Sequence, residues 1–558
     1  MIKTSLSLVL LSWLTLLAPA TGRASELFAS TLEAFRESRT LAIDGVPLLS
    51  APVLADFYLQ RGYTLAWSKP APIEALLELV EQSDTEGFRP EDFHVEVLRR
   101  LSRPGALDAL QGAARLAADL QLSDALLRYA HHTRYGKLDP VAVDQKWNDR
   151  APVPAERLIA DMRGALEADD LADFLGGRFQ QPFWYQDLKR VLSHYAGARH
   201  LKELPPLAGG PVLSLGSRGE RVAQLRERLR VLGYGESVSS DQPETFDAAL
   251  REAVLAFQRG RGLGADGAVG AQTLAAINDP IDESKVERIR LNLERMRWLY
   301  EDLPPDYVFV DVADYMAHLV RGREIAWSTR VIVGKEDSQT PMFRDRLDHL
   351  VLNPTWTVPV SIQEKLTNVS AKYTLIDRRT GRRVSGGNAA DYKRYRVVQQ
   401  PGPDNALGRV KFMFPNRHAV YMHDTPSKAL FGRSARALSH GCVRVQNPMK
   451  FAELLLEESG WDRARIDSVL EGTQTRYVNL SEPLPVLLYY LTARADADGN
   501  LHLRRDVYGR DPAVAEALDR PVQHTRIASY EFLPLETAAP DPALESSVRL
   551  TRSDVGER

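Results

Sequence analysis

The chain has 558 residues, 44% of them hydrophobic, with 71 lysines and arginines against 74 acidic residues and a net charge of −3. That length is too great for one hydrophobic core and predicts three or four domains. Without a basic excess a general nucleic-acid role is excluded, and beyond the N-terminus no stretch is apolar for long enough to cross a bilayer.

Lys3 precedes an uncharged, leucine-rich stretch from Leu6 to Leu17, followed by small residues in Ala18-Pro19-Ala20 and Gly22-Arg23-Ala24. This is the layout of a secretory signal peptide over residues 1–24, with cleavage after Ala20 or Ala24. A retained N-terminal anchor is the alternative. Residues 25–204 read as a helical scaffold, with Ile73, Leu76, Leu77 and Val80 at helical spacing and a second such run between Leu116 and Leu127. Its recurrent aromatics, among them Tyr58, Trp67, Tyr129, Tyr135, Trp147, Trp184 and Tyr185, suit a sugar groove or a core, and core is the commoner use. A Pro/Gly-rich joint at Pro205–Pro211 marks a boundary. Residues 211–280 then predict a three-helix bundle: Ser217 and Glu220 have capping-box spacing, Val222, Leu225, Leu229 and Leu232 share one helix face, and Phe246, Leu250, Val254 and Phe257 share the next. Residues 281–305 read as a charged linker helix. From 306 to 515 the character is β, beginning with Tyr307–Val312 and Ser328–Gly334. Residues 516–558 read as a disordered tail. The fold class is therefore multidomain α+β.

The chemistry of the β block centres on the one cysteine in the chain. An exported protein with a single thiol cannot form an internal disulfide, so Cys442 has another purpose. Val420–Asp424 and Ser439–Gln446 read as extended segments. Period-two geometry sets His440, Cys442, Arg444 and Gln446 on one face of the second, while Tyr421 and His423 share a face of the first. A thiol is mostly protonated at neutral pH and needs a base or a neighbouring cation; His423 is the candidate. Its second ring nitrogen is held by a backbone carbonyl or by Asp424, alternatives the sequence leaves open. Gly441 lets the backbone approach a reacting carbonyl, and the amides of the His440–Cys442 turn are candidate oxyanion-hole donors. Arg444 offers a bidentate cation to a substrate carboxylate or to an internal one. Tyr421, Ser439 and Trp356 are further candidates for substrate contact. No metal-ligand cluster is present in the sequence, and no metal or cofactor is expected.

His423, fifteen intervening residues and then Ser439-His440-Gly441-Cys442 resemble the signature of the L,D-transpeptidase catalytic domain, the YkuD-like fold. Val333-Gly334-Lys335 with Thr340-Pro341-Met342-Phe343, the run Asn353 to Pro359 and Phe431-Gly432-Arg433 agree with it. Leu215-Gly216-Ser217-Arg218-Gly219 and Asp266-Gly267-Ala268-Val269-Gly270 resemble the type 1 peptidoglycan-binding module. The whole order, through Tyr477–Pro483, is similar to the large YcbB-type members of Gram-negative bacteria, which implies a periplasmic location and sensitivity to carbapenems. The resemblance implies that the cysteine attacks the bond between diaminopimelate and the terminal D-alanine of a tetrapeptide stem. A second stem's diaminopimelate amine would then resolve the thioester as a 3→3 cross-link. With water as acceptor the same acyl-enzyme is an L,D-carboxypeptidase, and with a protein lysine it anchors an envelope protein; a non-catalytic wall-binding scaffold is the remaining alternative. The implied partners are peptidoglycan stems and glycan, with other cell-wall synthases as further candidates. The insertion 362–408 resembles a capping subdomain, a lid over the thiol, against the alternative of a solvated loop.

Overall fold

The computed structural model describes residues 20–521, apart from 39–40, 44, 145, 148–152, 178–182, 199–203, 233, 235–240, 261–262, 279–282, 299–302, 367–372 and 498. The expected signal segment through residue 19 and the tail from 522 lie outside them. A helix, Ala20–Ser38, runs through the expected cleavage point at Ala24. After a two-stranded hairpin, β1 (Ala42–Ile43) with β2 (Val46–Pro47), helices pack around a central one, Gly112–Tyr135.

From Ala118 onward that central helix is almost wholly buried, and the carboxylates it carries into the core are paired. Asp119 accepts from Tyr58 Oη at 2.6 Å and from the Ala66 and Trp67 amides at 2.9 and 3.1 Å. Asp124 pairs with Arg128 at 2.6 Å and His94 at 2.7 Å. Tyr58, Trp67, Tyr129, Tyr135, Trp147, Trp184 and Tyr185 are all buried, so these aromatics are core and do not line a sugar groove.

The bundle has helices Glu220–Val231, Ala248–Gly260 and Ala271–Asn278, with the expected apolar faces buried. The capping box does not form. Gly219, at φ +123°, is the N-cap residue, and the Ser217 hydroxyl instead accepts from the Ser214 amide at 3.0 Å. The helix Glu283–Arg297 is a strut where a linker was expected: its C-terminal half, from Leu291, is buried, and charges there are paired inside the protein. Arg295 meets Asp511 at 2.6 Å, and Arg297 Nη2 bonds Tyr185 Oη at 2.7 Å and lies 3.3 Å from the Glu86 carboxylate. The disordered tail expected from 516 is also corrected at its start: Asp511–Asp519 is a helix with Leu518 buried. Its end is clasped by Lys137, whose ammonium donates to Asp92 at 2.7 Å and to the Leu518 and Arg520 carbonyls at 2.8 Å. Lys137→Ala leaves Asp92 buried beside an unfilled space, at a cost of about 3 kcal/mol. Hydrogen exchange is expected to speed up in Asp511–Asp519 before the β domain loses protection; equal protection in both would refute this.

The β domain is a nine-stranded sheet. Its strands are β3 (Tyr307–Asp311), β4 (Met316–Arg321), β5 (Glu324–Gly334), β6 (Phe343–Leu352), β11 (Val410–Met413), β12 (Met422–His423), β13 (Ala437–Ser439), β14 (Val443–Val445) and β15 (Arg476–Tyr489). They lie in the order β13-β5-β14-β12-β11-β6-β15-β3-β4, and β4 also pairs with β5, so the sheet closes on itself. The segment Tyr477–Pro483 is part of an interior strand, β15, which pairs with β6 across a bulge and whose C-terminal part pairs with β3. Between β6 and β11 the insertion folds as a separate four-stranded sheet: β7 (Trp356–Thr357), β8 (Tyr373–Asp377), β9 (Arg383–Val384) and β10 (Tyr395–Gln399). Val358, Leu375, Ala389, Tyr395 and Val397 give it a core of its own, so it is not a solvated loop. A last hairpin, β16 (Ala493–Ala495) with β17 (Leu501–Leu503), precedes the C-terminal helix.

Candidate active site

Strands β12 and β14 pair in parallel, Met422 with Val443 and His423 with Arg444. On the other side of β12, Lys411 of β11 stands opposite His423. This register brings Tyr421, His423, Cys442 and Arg444 together, and adds Lys411, which sequence reading missed. Lys411 was legible only as one cation in a β pattern; its place beside the thiol comes from strand order.

Ser439–Gln446 is not one continuous strand. β13 ends at Ser439 and β14 begins at Val443, because Gly441 turns the chain at φ +113°, a conformation that favours glycine. The expected shared face of His440 and Cys442 is lost at this turn: His440 is exposed and lies near Asp337. Val443 and Val445 are buried as expected. Ser439 is 1% exposed. Its hydroxyl donates to the Cys442 carbonyl at 2.5 Å and accepts from the Gly441 amide at 3.1 Å. Ser439 therefore holds the turn and is not free for substrate. The Gly441 amide is likewise spent, which corrects its candidacy as an oxyanion donor. The amides of His440 and Cys442 donate to no partner among the described residues. Trp356 packs half-buried on the core of the inserted sheet.

Cys442 is a free, partly exposed thiol. Burial pushes its pKa up, opposed by hydrogen bonds from the Tyr421 amide and phenol and by the charges of Lys411 and Arg444. The Lys411 ammonium lies 3.7 Å from the centre of the Tyr421 ring. Neither Lys411 nor Arg444 has an acidic partner among the described residues, and Arg444 Nε is buried with no hydrogen-bond partner. The internal-carboxylate reading of Arg444 thus finds no carboxylate among the described residues.

His423 is buried, and its Nδ1 makes a short hydrogen bond to the Asp424 backbone carbonyl. This resolves the two alternatives in favour of the backbone. Nδ1–H donates, which leaves Nε2 as the basic lone pair. The Asp424 carboxylate works elsewhere, accepting from the amides of Arg409 at 2.8 Å and Thr425 at 2.6 Å and pairing with Lys428. It thereby ties the strand that carries His423 to the end of the insertion. Burial, then Arg444, lowers the His423 pKa to about 3, against the favourable carbonyls of Asp424 and Leu407, so the imidazole is neutral at pH 7. Its ring lies 5.7 Å from that of Tyr421, centre to centre. Among the described residues no His, Cys, Asp and Glu group could hold a metal ion, and no helix is long and apolar enough to cross a membrane.

Residues 305–474 match the L,D-transpeptidase catalytic domain (YkuD), residues 218–277 a peptidoglycan binding domain, and residues 52–192 the scaffold domain. A curated Haemophilus influenzae protein, provisionally named an L,D-transpeptidase, is 33% identical over 263 residues, covering 43% of this chain and 52% of that protein. The chain thus spans about half the length of the curated relative it matches. Among solved structures, the Ldtfm–avibactam carbamoyl enzyme is 12% identical over 34% of this chain and 49% of its own, with a TM-score of 0.18. The L,D-transpeptidase of Xylanimonas cellulosilytica is 15% identical over 50% of this chain and 99% of its own, with a TM-score of 0.14.

Proposed function

We propose that this chain, which carries a YkuD L,D-transpeptidase catalytic domain and a peptidoglycan-binding domain, cross-links peptidoglycan stems through a thioester on Cys442. The observation that carries this reading is the pair of half-buried cations, Lys411 and Arg444, flanking a half-buried thiol with no carboxylate to neutralise them among the described residues. Leaving two such charges unpaired is costly unless an anion arrives with the substrate. A peptide stem ending in D-alanine supplies one.

In this reading Cys442 Sγ attacks the amide carbon between diaminopimelate and D-alanine, and its proton passes to His423 Nε2. The Cys442 amide receives the oxyanion. The C–N bond then breaks, and D-alanine leaves with the proton from His423. The amine of a second stem attacks the thioester, gives a proton to His423, and the thiol departs with it. One amide is exchanged for another, so no nucleotide is consumed. The inserted sheet is the candidate cover that favours an amine over water. Mass spectrometry of products from purified tetrapeptide muropeptides tests this: cross-linked dimers with released D-alanine support it, and tripeptides alone make the protein a carboxypeptidase instead. Export to the periplasm, with residues 1–24 removed, belongs to the same proposal, and N-terminal sequencing of protein from the envelope tests it.

Arg444 is assigned the substrate carboxylate. Arg444→Lys keeps the charge and loses the two-pronged donor, so acylation is expected to slow about tenfold or more while the fold survives. Unchanged acylation kinetics would remove Arg444 from the site.

A further inference from the structure

The match to the catalytic domain ends at residue 474, yet the turn that carries Cys442 is held from beyond that point and from the helical half. The Gly441 carbonyl accepts from Thr340 Oγ1 at 2.8 Å, and the same hydroxyl accepts from the Gly334 amide at 2.9 Å. Tyr508 Oη donates to the Gly334 carbonyl at 2.6 Å and accepts from the Thr340 amide at 3.1 Å. A Cβ on Gly334 would lie 2.2 Å from the Ser338 carbonyl oxygen, so the segment 334–340 is folded back on itself without slack. Tyr508 stacks on Tyr490, ring centres 5.4 Å apart, and Arg510 covers both rings. Arg510 also reaches Gln339 Oε1 at 2.8 Å, in the folded segment, and Asp144 Oδ2 at 3.0 Å, in the helical half. Close by in the chain, Trp147 makes a parallel bridge to Met342.

These contacts bear on the chemistry through one peptide plane. The Gly441 carbonyl and the Cys442 N–H belong to the same trans peptide and point in opposite directions, so fixing one aims the other. Gly441 has no side chain with which to fix its own orientation. Thr340 supplies that restraint, and Tyr508 holds Thr340.

We propose that Tyr508 is a positioning residue for Cys442, acting through Thr340 on the peptide that carries the Cys442 N–H, and that Arg510 and Asp144 make this restraint depend on the docked helical half. The proposal rests on the reading of Cys442 as nucleophile, and its test separates the two. Tyr508→Phe deletes the hydroxyl and keeps the stacked ring. Acylation by a tetrapeptide stem is expected to fall about tenfold or more in maximal rate with little change in half-saturating concentration, because an aimed N–H acts in the transition state. With Thr340→Val already present, Tyr508→Phe should add nothing.

A second readout needs no turnover. Cys442 is the only cysteine, so alkylation reports on it alone, and the ratio of iodoacetate to iodoacetamide rates at one pH cancels the thiolate fraction. That ratio measures how closely Lys411 and Arg444 flank the sulfur. It is expected to fall about threefold or more in Tyr508→Phe, and in the same direction in Asp144→Asn, which alters only the helical half. An unchanged ratio in both variants, folded by near-ultraviolet circular dichroism, overturns the proposal. If Tyr508→Phe does not fold, Asp144→Asn and Arg510→Lys decide between the same two outcomes. A wild type that no stem acylates refutes the function proposed above, and the ratio still decides the positioning role.

Discussion

Cys442→Ser is expected to abolish cross-linking, by on the order of 10⁴-fold or more, although serine nearly matches cysteine in shape. The reason is the proton. A free thiol has a pKa of about 8.5, far below that of an alcohol, and even after burial has pushed Cys442 up it remains the easier group for a neutral imidazole to deprotonate. Serine in the same half-buried place would meet the same desolvation with a much weaker acid. The wild type should gain the mass of one carbapenem on the peptide containing Cys442: the drug's strained amide lies beside a carboxylate that suits Arg444 and Lys411, and ring opening leaves a thioester. Intact-protein and peptide mass spectrometry read both results. A folded wild type that stays unlabelled, or a Cys442→Ser protein that labels equally well, ends the nucleophile assignment.

Much of this site was legible because its chemistry is written in neighbouring residues. Ser439-His440-Gly441-Cys442 and His423 are close in sequence, and the valines of β14 declared their side of the sheet. What escaped reading depends on pairing across the fold. Lys411 reaches the thiol only because β11 lies against β12 and β12 against β14. Ser439 looked like a substrate group until the turn at Gly441 brought its hydroxyl back onto the Cys442 carbonyl. Strict alternation failed at the same residue, since period-two reasoning assumes an extended chain and Gly441 is not extended. The helix Glu283–Arg297 misled for a related reason: its charges imply solvent, but Arg295, Arg297 and Glu294 form ion pairs with partners distant in sequence or within the helix. The capping box at Ser217 shows that spacing alone does not secure a cap when a glycine at positive φ takes the N-cap position.

His423→Ala is expected to slow acylation about 10²- to 10³-fold at pH 7 and to change the shape of its pH dependence. With its pKa lowered to about 3, His423 is already unprotonated across the whole range from pH 5 to 8, and the thiol, raised by burial, is still protonated there. A neutral base and a neutral thiol give a wild-type rate that is nearly flat over that window, with no inflection near the usual histidine pKa of about 6.5. Without the imidazole only pre-formed thiolate reacts, so the variant's rate should climb about tenfold per pH unit. Stability moves the other way. The unfolded chain protonates this histidine below about pH 6.5 and the native protein only near 3, so the stability it supports is present above 6.5 and is lost as pH falls towards 3. His423→Ala removes that loss, and its unfolding midpoint should fall less steeply than the wild type's between pH 6.5 and 3. A wild-type acylation profile that bends near pH 6.5, or a His423→Ala profile as flat as the wild type's, would show that the proton goes to another group, with the Tyr421 phenol on the thiol as the next to test.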